Sequence, residues 1–205
     1  MSKPTEQEIF WKNDFGNQYI DRNTGDSLLK SNIVLFSKIL KYTYPINNVI
    51  EFGCNVGLNL DAITFLNPKV KVSGVEINNK ACEVLKNKGM KFYNESFLSQ
   101  TDYGLYDLTF TKGVLIHVNP ERLKLAYEKL FKHSKKYILV IEYYSPTPDS
   151  VDYRGERNKL FKRDFAGEML DIYPQLKLVN YGFTYHKDPF SQDDNTWFLL
   201  EKLKN

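Results

Sequence analysis

The chain has 205 residues, 42% of them hydrophobic and 26% charged, which suits one compact domain with a sizeable core. Its net charge of +3, from 28 basic and 25 acidic residues with no block of like charges, argues against a nucleic-acid partner. No apolar run approaches a membrane span, and the polar start Met-Ser-Lys-Pro-Thr-Glu-Gln is unlike a signal peptide. The two cysteines, Cys54 and Cys82, lack metal-ligand spacing, so a reducing cytoplasm is the expected location.

In chain order, Thr5-x-x-Glu8 has the form of a capping box and opens a helical segment carrying Ile9, Phe10 and Trp11. Asp26 or Ser27 can cap a second helix, in which Leu29, Ile33, Phe36 and Leu40 recur at helical spacing and which must end before Pro45. Strands and helices then alternate. Strands are expected at 49–52, 70–75, 91–93, 106–111 and 137–142. Helices are expected at 58–65, at 80–88 with Gly89 closing it, and from Pro120 to about Lys132. Ser145-Pro-Thr-Pro148 interrupts the pattern, and 145–163 reads as an irregular run. A helix at 165–172 and strands at 177–185 and 196–202 close the chain. Near-continuous apolar strands separated by helices imply a parallel sheet covered on both faces, here with a late antiparallel hairpin. The reading divides the chain into N-terminal helices at 1–45, a ligand-binding core at 46–144 and an acceptor-binding segment with the terminal hairpin at 145–205.

The most informative stretch is Asn48-Val-Ile-Glu-Phe-Gly-Cys-Asn-Val-Gly57, followed by Gly74-Val-Glu76. It reads as a buried strand, a tight glycine turn opening a helix, and a second strand ending in an acid. Without a Cβ, Gly53 lets the backbone lie against a ligand. Glu76, about 20 residues on, can accept hydrogen bonds from a ribose diol. A dinucleotide fingerprint needs three glycines, and here its positions hold Gly53, Asn55 and Leu58. Read as acidic-x-Gly-x-Gly-x-Gly, the segment gives Glu51, Gly53, Asn55 and Gly57, with Cys54 inside the turn. Asparagine tolerates the left-handed backbone, so Asn55 is a mild replacement. This pattern resembles motif I of the class I methyltransferases that use S-adenosylmethionine (SAM). The resemblance implies a Rossmann-like α/β fold with a mostly parallel seven-stranded sheet, helices on both faces and a C-terminal antiparallel hairpin.

Ligands of open α/β sheets sit beyond the carboxyl ends of the strands. Those ends therefore supply the cofactor candidates: the turn itself, Glu76 and Ile77, then Glu95, Ser96 and Phe97 where this fold meets adenine, then Thr111 and Lys112. His117 is either a hydrogen-bonded histidine packed at the sheet edge or a substrate contact or general base, since its ordinary pKa lies near cellular pH. Glu142, Tyr143 and Tyr144 can orient an acceptor hydroxyl or simply pack. Thr111-Lys-Gly-Val114 replaces the Asn/Asp-Pro-Pro-Tyr of amino-methyltransferases, and no aspartate at that strand end suits Mg²⁺, so no metal is expected. His133 and His186 have no neighbouring zinc ligands.

Aromatic residues reach 15%, suiting core packing and pocket lining equally. Around Phe10-Trp11, Phe15, Tyr19 and Arg22 they surround one arginine. A plain amphipathic segment would look alike; the sharper reading is a lid in which Tyr19 and Arg22 hold the methionyl carboxylate of SAM. The N-terminal phrase Glu6-Gln7-Glu8 with Phe15-Gly and Tyr19-Ile-x-Arg22-Asn23, together with Phe110-Thr-Lys-Gly-Val-Leu-Ile-His117 and Glu142-Tyr-Tyr-Ser-Pro-Thr-Pro148, resembles the pseudaminic acid biosynthesis-associated methylases. Arg154-Gly155, Leu160-Phe-Lys-Arg-Asp-Phe-Ala-Gly-Glu168 and Asp193-Asp194 with Trp197 extend the likeness over nearly the whole chain. It implies SAM as cofactor and a small polar acceptor, such as a sugar or nucleotide sugar of surface-glycan assembly. Another small metabolite as acceptor, or a SAM-binding accessory protein without activity, are the alternatives. Arg154, Arg157 and Arg163 suit an acceptor carboxylate or phosphate, so Arg154, Arg163, Tyr144 and His186 are the expected acceptor contacts.

Overall fold

The computed structural model describes residues 3–22, 25–43 and 45–203, with Arg22 described by its backbone alone. Thr5 caps α1 (Glu6–Lys12) in a complete capping box: its side chain accepts from the Glu8 amide while the Glu8 carboxylate accepts from the Thr5 amide. A second helix, α2 (Asp14–Arg22), follows at once and was not foreseen. The two helices meet tightly at Gly16, where an added Cβ would lie 1.9 Å from the Trp11 carbonyl oxygen. α3 (Asp26–Leu40) starts from Gly25 rather than from Asp26 or Ser27; Asp26 instead sits in the first turn, where its charge faces the positive end of the helix dipole.

The sheet then assembles from β1 (Asn48–Phe52), β2 (Lys71–Glu76), β3 (Lys91–Asn94), β4 (Tyr106–Lys112) and β5 (Ser134–Glu142). Between them run α4 (Leu58–Leu66), α5 (Asn79–Asn87) and α6 (Leu123–His133), the last preceded by two 3₁₀ turns, Leu115–His117 and Pro120–Arg122. After β5 come β6 (Asp149–Tyr153), β7 (Glu156–Lys162), α7 (Phe165–Ile172), β8 (Leu176–Phe183) and β9 (Thr196–Lys202). The seven-stranded sheet has the order β3-β2-β1-β4-β5-β9-β8. Its first five strands are parallel, and β9 pairs antiparallel with both β5 and β8. The order reverses between β1 and β4, which opens a crevice above their carboxyl ends.

The apolar strands are explained by burial on two sides. Ile50, Phe52, Ile138 and Val140 join α6 and α7 in one core, while Val49, Tyr137, Leu139 and Ile141 join α3 and α4 in the other. Each fully buried Leu, Ile or Phe contributes about 1.5–3 kcal/mol to the folded state.

The run at 145–163 is not irregular. β6 and β7 form a separate two-stranded antiparallel hairpin whose turn holds Arg154 and Gly155 in the left-handed region, at φ 52° and 86°. Two successive left-handed residues match the right-handed twist of paired strands, the geometry that makes a residue followed by glycine a hairpin signal. β8 also ends at Phe183, two residues short of the expected strand; the Thr184 amide still donates to the Asn195 carbonyl, and the chain then turns where the Asp188 amide donates to the Tyr185 carbonyl. No helix among the described residues is long and apolar enough to cross a membrane.

Candidate functional site

The glycine turn is built as its residue types require. The amides of Gly53 and Cys54 both donate to the Val75 carbonyl, tying the end of β1 to β2. Gly53, Asn55 and Gly57 all take left-handed φ values, 76°, 47° and 80°. Neighbouring Gly74 has a different reason: a Cβ there would lie 2.3 Å from Cys54 Sγ. Cys54 and Cys82 are buried and unbridged. Burial and nearby carboxylates push the Cys54 thiol well above its usual range, which keeps it protonated.

Glu76 closes the turn from below. Its Oε2 accepts the Asn55 amide and its Oε1 the Asn78 amide, each at 2.7 Å. The carboxylate thus shapes the loop itself, while each oxygen keeps a lone pair for a ligand hydroxyl. Burial raises its pKa, and the Asn78 and Asn55 amides oppose that rise.

Above this turn lies a cavity of about 430 Å³. It is bordered by the expected cofactor candidates Tyr19, Gly53, Cys54, Asn55, Glu76 and Ile77, by Glu95, Ser96, Phe97 and Lys112, and by His117 and His186. Gly57 starts α4 and shapes the turn without lining the space; its Cβ would press on Leu85 and Met90. Thr111 is fully buried beneath the strand end. The Arg22 side chain lies outside the described residues.

The N-terminal helices and the last loop roof the cavity. The Asn78 side chain donates to the carbonyls of Trp11 and Lys12 and to Asn17 Oδ1, and Lys80 pairs with Asp21 at 2.6 Å. From the other side, Gln192 in the β8–β9 loop donates to Asn32 Oδ1 on α3. α1 also docks on the β6–β7 hairpin: Lys159 pairs with Glu6, and Gln7 Nε2 donates to the Asn158 carbonyl at 3.0 Å. Trp11 packs against His117, Tyr19 and Tyr153 with ring centroids 4.6, 5.2 and 6.5 Å away.

His117 is buried, and its Nδ1 faces the Lys159 carbonyl, which can only accept. The proton therefore sits on Nδ1 and leaves Nε2 with a lone pair. Burial pushes its pKa down to about 4, so it is neutral at physiological pH rather than poised near it. Lys112 is also pushed down by burial, against the opposing pull of Glu51, Asp193 and Glu142. Glu51, fully buried with Oε1 accepting from Asn59, is pushed up to about 8 by desolvation.

Other expected contacts are committed to the fold instead. Glu142 accepts the amides of Val114, Leu115 and Ile116 and so caps the 3₁₀ turn that carries His117. Its carboxyl rises to about 7 through desolvation despite those three amides. Tyr143 stands beside Asp193, which reaches the cavity, and burial with that carboxylate raises its hydroxyl. Tyr144 is exposed and packs on Phe198, away from the cavity. Arg163 is held by Glu168 at 2.6 Å, and Glu168 accepts in turn from the Tyr127 hydroxyl. Arg154 sits at the hairpin turn with its guanidinium 5.9 Å from the Tyr153 ring, and it does not line the cavity. His186 does, with Nδ1 2.9 Å from both oxygens of Asp194, whose pKa falls through that contact.

Gln7, Trp11 and Asp193 are among the lining residues that the sequence did not mark as ligand contacts. The capping box at Thr5 places Gln7 and Trp11 one helical turn apart on one face, a signal that was available. Among the described residues, Gln7 Oε1 and Trp11 Nε1 are buried without a hydrogen-bond partner. Leaving such a group unpaired costs about 1–3 kcal/mol. Among the described residues, no three His, Cys, Asp or Glu side chains gather as a metal set.

No protein-family model and no curated protein matches this sequence. Solved structures do match in shape. The 1,6-didemethyltoxoflavin-N1-methyltransferase of Burkholderia thailandensis, seen with its substrate and S-adenosylhomocysteine, superposes with a TM-score of 0.72 at 14% identity, over 100% of this chain and 92% of that one. The fold is that of the class I methyltransferases. Magnesium protoporphyrin IX methyltransferase from Synechocystis PCC 6803, with bound S-adenosylhomocysteine, gives 0.71 at 15% identity over 96% and 100% of the two chains. The plantazolicin methyltransferase BpumL in complex with S-adenosylhomocysteine gives 0.65 at 13% over 97% and 94%.

Proposed function

We propose that this chain is a SAM-dependent methyltransferase acting on a small polar acceptor. The observation that carries this reading is the cavity over the left-handed Gly53–Asn55–Gly57 turn, with the Glu76 carboxylate at its base. The site residues fit the cofactor: Glu76 keeps lone pairs for a ribose diol, and Glu95, Ser96, Phe97 and Tyr19 line the same cavity. SAM supplies an electrophilic methyl group on a sulfonium. The chain's own residues then bind, align an oxygen or nitrogen nucleophile, and exclude water beneath α1 and α2. His117, neutral with Nε2 unprotonated, is suited to take the nucleophile's proton.

For the acceptor, the family resemblance supports a sugar or nucleotide sugar of nonulosonic acid or related surface-glycan assembly. A different small metabolite is the second reading, favoured by structural neighbours whose names specify a toxoflavin precursor, a magnesium porphyrin and plantazolicin. Calorimetry with SAM, S-adenosylhomocysteine and NAD tests the cofactor assignment. Low-micromolar binding of the first two without NAD binding is the expected result, and tight NAD binding overturns it.

A further inference from the structure

We propose that Gln7 and Trp11 form the acceptor subsite, holding one neutral hydroxyl between Gln7 Oε1 and Trp11 Nε1. This rests on the methyltransferase reading and narrows its substrate class. Both side chains border the cavity, four residues apart on α1 and hence on one face. The Gln7 amide cannot be turned round, because its nitrogen donates to the Asn158 carbonyl at 3.0 Å, so the oxygen is the unpaired end. The indole of Trp11 offers a donor only. Among the described residues, the structure therefore leaves one acceptor and one donor unpaired within a helical turn, on two side chains that border the cavity.

A hydroxyl is the group that answers both, since it accepts from the indole and donates to the amide oxygen. An ionised carboxylate or a dianionic phosphate cannot donate to Gln7 Oε1, and an ammonium cannot accept from Trp11. The charge of the wall points the same way. Among its described residues, Glu8, Glu76, Glu95 and Asp193 stand against the cation Lys112, and Lys112 already faces Glu51 and Asp193. The arginines that suggested an anionic acceptor are elsewhere: Arg163 is paired with Glu168, and Arg154 lies at the hairpin turn.

The held hydroxyl lies next to His117, whose ring centroid is 4.6 Å from that of Trp11. In the transfer, a neighbouring hydroxyl of the same acceptor forms the new C–O bond as the S–CH₃ bond breaks, and the electron pair of that bond stays on sulfur. The proton of that reacting hydroxyl, which is free of Gln7, passes to His117 Nε2 and then to solvent. A weak base suffices, because the proton becomes strongly acidic as the oxygen gains the methyl group.

The test measures S-adenosylhomocysteine release from SAM with free hexoses and N-acetylhexosamines, their 6-phosphates and their UDP conjugates. Turnover with the uncharged sugars and not with the 6-phosphates is expected. Gln7→Met and Trp11→Phe should each lower that turnover about 10-fold or more while the SAM Kd moves less than about 2-fold. Glu6→Gln loosens the same helix but spares both atoms, and should keep turnover near that of the parent. Preference for the phosphates, unchanged turnover in Gln7→Met and Trp11→Phe, or an equal loss in Glu6→Gln would overturn the proposal. Tight SAM binding with no turnover of any sugar also overturns it and leaves the cofactor reading standing, whereas failure to bind SAM removes both.

Discussion

The two sides of the cavity are made in different ways. The floor, from β1 to the end of β5, presents backbone: left-handed turn residues, paired amides and a carboxylate that shapes them. The roof presents side chains, and its contacts join residues far apart in sequence, such as Lys159 with Glu6 and Gln7 with Asn158. A floor of this kind recognises whatever fits main-chain geometry and changes little when single side chains change. A roof of side chains can be rewritten without disturbing the sheet. On the proposed function, cofactor recognition falls to the first and acceptor choice to the second.

The largest effect that would sharpen this contrast is at Glu76. Glu76→Ala should weaken SAM binding at least about 10-fold and also destabilise the protein by about 1.5–3 kcal/mol, since two backbone amides lose a charged acceptor. Calorimetry and denaturant unfolding separate the two, and an unchanged SAM Kd would make Glu76 purely structural. Next is Gly74→Ala, expected to cost about 1–3 kcal/mol through the clash with Cys54 Sγ. Adding Cys54→Ala should recover part of that loss; no recovery would show that the strain lies in the strand and not in this contact.

A third effect depends on pH. The Glu51 carboxyl is held at about 8 when folded against 4.5 for the free group, so between those values the folded chain keeps a proton that the unfolded chain has lost. Its contribution is complete below pH 4.5 and fades as pH rises through 8. Glu51→Gln should therefore gain on the parent in melting temperature from pH 5 to pH 8, and parallel melting curves would contradict the burial argument. His117 acts in the opposite sense: depressed to about 4 from 6.5, it contributes above pH 6.5 and loses that contribution as pH falls toward 4. The smallest effect is at Arg154. Lying at the hairpin turn, Arg154→Ala should leave turnover and SAM affinity within about 2-fold. A raised acceptor KM would bring the hairpin tip into the roof and break the contrast.

The floor was legible because its signals are local. Continuous apolar runs set β1, β2 and β4 to within about a residue or two of their ends, and Gly53 to Gly57 with Glu76 carry their geometry in residue type. α7 falls at 165–172 as expected, with Pro174 beyond it as the stop, and the structure adds Asp164 as its cap. The roof was not legible for the converse reason. The capping box sets Gln7 and Trp11 on one face of α1, but it does not show that this face meets Val114, His117 and the β8–β9 loop across a cavity. The polar stretch Glu156-Arg-Asn-Lys159 hid a strand, although Arg154-Gly155 marked its turn. Arg163 looked like an anion site because sequence alone does not show that Glu168 already holds it.

The docking of α1 on β7 also bears on how the molecule comes to be folded. Its hydrogen bonds join residues 151 and 153 positions apart, so they close some of the longest loops in the chain. During synthesis α1 emerges well before the hairpin that receives it, and Phe10 and Trp11 lack their contacts with Lys159 and Tyr153 until β6 and β7 exist. Contacts of such high order are slow to form. The roof of the cavity is thus expected to close after the floor beneath it.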